Sequence, residues 1–154
     1  MRKSILLIAL PLLLTQCGKS DNKDGVDVTM LQYQEILQLS LDVDTLQPYF
    51  HTTPDGQAYP VVIADDVAAQ KKPGPRVEKF GEAVTFITKA EADTSNLESY
   101  FWVTDYIYLD STARMILLDP IRDIYFGVAF DRVDDTWRVA STYIDTGILG
   151  PDGP

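Results

Sequence analysis

Residues 100–109, YFWVTDYIYL, open the part of the chain that decides its fold. Eight of these ten residues are aromatic or β-branched, the composition of a pleated, half-buried strand. The same chemistry returns at Arg114–Leu118, Ile124–Arg132 and Thr136–Tyr143, and precedes the run at Val84–Lys89. Asp-Ser-Thr, Asp-Pro and Asp-Asp-Thr sequences lie between the later segments, where side-chain oxygens favour turns. Five successive strands with short connections predict an antiparallel meander. Alternation places Phe101, Val103, Ile107 and Leu109 on one side, interrupted by Asp105, and Tyr100, Trp102, Thr104, Tyr106 and Tyr108 on the other. The second set is either a wet binding face built on Tyr100, Trp102, Tyr106 and Tyr108, or a second buried face under the 71–75 loop. Gly127 and Ala129 leave room on a neighbouring strand for a bulge or a close approach.

A half-buried sheet needs a cover, and the only helical periodicity lies upstream. Met30, Tyr33, Leu37 and Leu41, with Ile36 beside them, recur at helical spacing and predict an amphipathic helix over 28–41. Asp44-Thr-Leu-Gln47 reads as a capping box opening a second, short helix that ends near His51, with Pro48 inside its first turn. Thr53-Pro-Asp-Gly56 is a turn, Tyr59–Ala64 a strand and Asp65–Gln70 one helical turn; Lys71-Lys-Pro-Gly-Pro75 is a loop. The fold class that follows is α+β, with N-terminal helices packed on a curved antiparallel meander sheet. The domain spans 28–144, followed by a glycine- and proline-rich tail over 145–154 that predicts disorder.

Upstream of the domain, residues 18–27 are polar and aperiodic, the composition of a flexible tether with a reach of roughly 15 to 20 Å. Before it stand Arg2 and Lys3, an apolar stretch over 5–14 and the only cysteine, Cys17. Ten apolar residues are too few to span a bilayer, which needs roughly 20, so the stretch reads as a signal peptide over 1–16. Leu14-Thr-Gln-Cys17 resembles the lipobox of bacterial lipoproteins. That resemblance implies cleavage before Cys17, acylation of its thiol and amine, and a lipid anchor in the cell envelope. Gly18, where an aspartate would retain the protein in the inner membrane, implies the outer membrane by the same resemblance.

Processing at Cys17 leaves 138 residues, enough for one domain with a real core. It also removes Arg2 and Lys3 and takes the net charge from −10 to −12. A field of that sign repels phosphate backbones, so no nucleic-acid partner is expected, and a basic protein partner is favoured. With a single cysteine the domain holds no internal disulfide, and packing alone must stabilise it.

His51 is the only histidine, and no His-His or His-x-x-Glu spacing offers a metal site. Asp65-Asp66, Asp134-Asp135 and Asp42-Val-Asp44 lack the rhythm of a calcium loop and read as caps and turns. No metal and no cofactor are expected. Helices followed by a meander, with a Lys79-Phe-Gly81 turn before Val84 and a last hairpin YFGVAFDRVDDTWRV over 125–139, resemble the NTF2-like or cystatin-like α+β proteins. Such folds host enzymes, binders and scaffolds alike, so the resemblance implies an architecture and no activity. Within it, NTF2-like enzymes place Asp, Tyr or His in the cone between helix and sheet, which singles out His51, Asp105 and Tyr106.

The leading expectation is a non-enzymatic, lipid-anchored envelope protein that acts by binding another protein, such as an immunity or inhibitor protein facing a basic toxin or wall hydrolase. A small-ligand-binding or enzymatic domain with a cone pocket, and a structural part of an envelope assembly, are the alternatives.

Overall fold

The computed structural model describes residues 28–72 and 74–146, and the fold it shows is α+β. Helix α1 (Val28–Asp42) is followed by a 3-10 turn over Asp44–Tyr49, strand β1 (Val62–Ala64), helix α2 (Asp66–Gln70) and a two-strand ribbon of β2 (Glu78–Lys79) and β3 (Glu82–Ala83). Then come β4 (Thr85–Ile87), α3 (Lys89–Thr94), β5 (Phe101–Tyr108), β6 (Thr112–Asp119), β7 (Ile124–Val133) and β8 (Thr136–Thr146). Six strands form one sheet in the order β4-β1-β5-β6-β7-β8.

Only β5 to β8 form the expected antiparallel meander. Strand β4 does not pair with β5; it runs parallel to β1, and β1 runs parallel to β5. The sheet is therefore mixed, and the physical reason is α3. Thr88 accepts a hydrogen bond from the Glu91 amide while the Glu91 carboxylate accepts from the Thr88 amide, a reciprocal capping box that starts a helix where the strand-like composition would otherwise continue. That helix carries the chain over the sheet, as a crossover between parallel strands requires.

Helix α1 lies across the meander with Ile36, Leu37 and Leu41 fully buried against Met115, Leu117 and Phe130. Phe50, Phe101 and Phe126 extend this core through edge-to-face contacts. The middle of α1 and the meander are packed together by these side chains. Lys79 closes the end of α1 by donating to the Leu41 carbonyl at 2.9 Å and to the Asp42 carboxylate at 3.0 Å, a cation at a helix C-terminus. The ribbon that carries Lys79 turns at Phe80 and Gly81, both with positive φ, and lays Phe80 against Phe50.

Three further expectations are corrected. Gln47 does not close a capping box on Asp44; its amide donates instead to the carbonyls of Leu41 and Val43, and the 3-10 turn begins without a side-chain cap. The strand expected over Tyr59–Ala64 is limited to Val62–Ala64, because Tyr59 is tied back by its amide to the His51 carbonyl. Strand β8 continues through Thr146, so 145 and 146 belong to the sheet, while 147–154 lie outside the described residues.

Candidate functional site

Strand β5 contains one residue more than its partner can match. Val103 pairs with Leu117 and Asp105 with Ile116, so Thr104 is the extra residue of a β-bulge. Directly paired residues share a face. Hence Phe101, Val103, Tyr106 and Tyr108 all point toward α1, and Trp102, Asp105 and Ile107 point the other way. The alternation expected through Tyr100–Leu109 therefore holds only as far as Val103, and the bulge divides the aromatic ladder. Tyr106 meets Tyr33 edge-on at 5.2 Å, and Tyr108 meets Trp137 at 5.2 Å, both on the core side. Tyr100 is buried with Ala92 under α3. Trp102 lies on that same side of the sheet, half-buried against the Ala64, Ala92 and Tyr100 cluster, with Lys89 Nζ 5.0 Å from its ring centre.

The outward face has other apolar members. Following the pairing across the sheet, Trp102, Leu118 and Tyr125 form one row, Asp105, Ile116, Gly127 and Tyr143 the next, and Ile107, Arg114, Ala129 and Ser141 a third. The Tyr143 ring lies over Gly127, so closely that a Cβ there would fall 1.8 Å from a ring carbon. Tyr143 is 47% and Ile107 39% exposed, and the buried clusters that hold the helices include none of the outward residues of β6 to β8. An ion pair between Asp105 and Arg114 borders this apolar centre.

Beside the bulge lies a cleft of about 540 Å³, lined by Tyr33 and its neighbours on α1, Asp65 to Ala68 at the head of α2, Lys71 just after it, and Trp102 to Tyr106 of β5. It exists because β1 is short: only Phe101 and Trp102 of β5 pair with it before Asp65 turns the chain into α2. Asp65 caps α2 by accepting from the amides of Val67 and Ala68 at 2.9 Å, and its other oxygen accepts the Tyr33 hydroxyl at 2.6 Å. Burial, and then the Asp65 charge, hold the Tyr33 proton far above the ordinary tyrosine range. Burial, with Tyr108 and Glu35 adding to it, pushes Tyr106 up to about 12. The Tyr106 hydroxyl is buried with no hydrogen-bond partner among the described residues.

His51 lies elsewhere. Its Nε2 is 3.5 Å from Oδ2 of Asp119, a side chain 1% exposed at the end of β6. Asp119 Oδ1 accepts the amides of Ile121 and Arg122, and Arg122 donates to the Tyr49 carbonyl at 3.0 Å. This cluster clamps the loop after the 3-10 turn to the β6–β7 connection. Asp105 lines the cleft and His51 does not, so the two residues expected to share a cone pocket are in separate places.

Residues to which the sequence assigned no binding role complete both surfaces. Tyr125 and Tyr143 belong to the outward face, and Gly127 opposite Tyr143 was their one visible signal. Tyr33 and Asp65 wall the cleft, and the signal there was a cap at the head of a helical turn. Cys17 and the 18–27 tether lie outside the described residues. Among the described residues no group of three His, Cys, Asp or Glu side chains could hold a metal ion. No family model, curated protein or solved structure matches this chain.

Proposed function

We propose that this chain is a lipid-anchored protein of the bacterial envelope that acts by binding another protein, in the manner of an immunity or inhibitor protein against a basic toxin or hydrolase. The observation that carries the reading is the outward face of β5 to β8, where exposed Tyr143 and Ile107 stand beside half-buried Trp102, Ile116 and Tyr125 with a charged border. Large rings with few rotors on an open sheet are efficient binding anchors, and the acidic chain favours a basic partner. Two measurements test this. Fatty-acid labelling of cells should be lost in Cys17→Ala, and unchanged labelling removes the anchor. Capture of a partner from the envelope should weaken in Trp102→Ala and Tyr143→Ala and at high salt; retention unchanged by both refutes the surface.

A second reading, a small-ligand site, is favoured by the volume of the cleft and by Asp105, Tyr33 and Tyr106 at its wall. A ligand there would protect Tyr33 and Tyr106 from chemical modification without involving Tyr143. For the finer fold, we infer an NTF2-like or cystatin-like arrangement, supported by a long helix laid across a curved meander; the parallel β1–β5 pairing is the feature that a relative of either kind must accommodate.

A further inference from the structure

We propose that the free edge of β5 accepts an extended, cationic segment of a partner protein as an added strand, with its basic side chains directed into the cleft between α1 and α2. The backbone direction follows from the β5–β6 hairpin. The Leu109 amide donates to the Thr112 carbonyl at 2.8 Å, so this pair is a hydrogen-bonded one. In an antiparallel ladder hydrogen-bonded and non-bonded pairs alternate, which makes Ile107–Arg114 and Asp105–Ile116 the next bonded pairs. Tyr106 and Tyr108 then turn their N–H and C=O groups away from β6, toward the side that β1 has left. Those groups form a template for one more strand.

The other edges are poorer templates. Strand β4 has three residues, and β8 is interrupted by a bulge at Ala140, which breaks a ladder and is a common protection of an edge. Strand β5 carries neither proline nor lysine, and its one charge, Asp105, is paired with Arg114. The chemistry of the occupant follows from the walls. Asp65, which accepts from three donors, and Asp66 beside it at the head of α2 outweigh Lys71 in the lining, and the rings of Tyr33 and Tyr106 can cover the stems and cationic heads of lysine or arginine. With a net charge of −10 on the whole chain, a basic segment is the complementary one.

Strand addition presupposes the protein-binding role argued above, and its test separates the two. The full chain in detergent micelles is titrated with a labelled peptide of alternating valine and lysine that spans the length of Val103–Tyr108, with amide exchange as the second readout. Binding should weaken with salt, exchange at the Tyr106 and Tyr108 amides should slow by about tenfold or more, and Asp66→Asn should weaken binding by about 2- to 5-fold. Absence of binding, equal binding of the same peptide with alternate backbone nitrogens methylated, equal binding of a valine–glutamate peptide, or unprotected Tyr106 and Tyr108 amides would each overturn it. A partner that protects the Tyr143 face while those two amides exchange freely would remove strand addition and leave the protein-binding role standing.

Discussion

Gly127→Ala should destabilise the domain through a residue it pairs with, Tyr143, and not through strain of its own backbone. The added methyl would sit 1.8 to 2.5 Å from three atoms of the Tyr143 ring, so the ring must leave the sheet. Tyr143 is 47% exposed, which leaves roughly half of an aromatic side chain's area, about 100 Å², to be lost. At about 25 cal/mol per Å² that is about 2.5 kcal/mol. Replacing a strand glycine returns about 0.5–1 kcal/mol by restricting the unfolded chain. The net expectation is a loss of about 1.5–2 kcal/mol, or a fall in Tm of about 5 °C for a domain of this size. Urea unfolding of Gly127→Ala, Tyr143→Ala and the double variant forms a closed cycle. In the Tyr143→Ala background the same glycine change should become neutral or mildly stabilising, giving a coupling of about 2.5 kcal/mol. An equal cost in both backgrounds would show that the ring does not lie where the pairing places it.

Asp119→Ala should cost about 3 kcal/mol in urea unfolding, because it removes a buried carboxylate that accepts two amides and faces His51. Tyr33→Phe should cost about 2 kcal/mol by the same measurement, the value of a part-buried hydrogen bond to a charged acceptor. Thr88→Ala should cost about 1 kcal/mol by loosening the cap of α3 over Tyr100. Alkaline pH should also weaken the domain: Tyr106 lies above the ordinary tyrosine value of 10.0, so the unfolded chain loses this proton first. The stability it contributes is present below pH 10 and is lost as pH rises toward about 12, and thermal melts of Tyr106→Phe across that window should show a shallower decline than the parent.

How much of this was legible follows from which interactions are local. Helix α1 announced itself through Tyr33, Ile36, Leu37 and Leu41, and all four are buried as spaced. The last four strands, the 53–56 turn and the capping role of Asp65 are local chemistry and could be read directly. Asp134 and Asp135, both with positive φ, form the two-residue turn of the β7–β8 hairpin, as their composition implied. Helix α3 was obscured because KAEADT follows a β-rich run, although Thr88 and Glu91 stand at capping-box spacing and are its visible mark. The pairing of β1 with β4 and β5 depends on contacts far apart in the chain, which periodicity does not encode. The same holds for His51, whose partner Asp119 lies at the far end of the meander.

Thr104 gives the bulge in β5 a separate meaning. If that residue were deleted, Val103 would still face the core, Asp105 the outside and Tyr106 the core, so every burial preference in the strand would survive. What would vanish is the bend that a bulge imposes on its strand. The shape of the cleft wall is thus encoded in the number of residues rather than in their kinds, and substitution scanning would pass over a determinant that a single-residue deletion exposes.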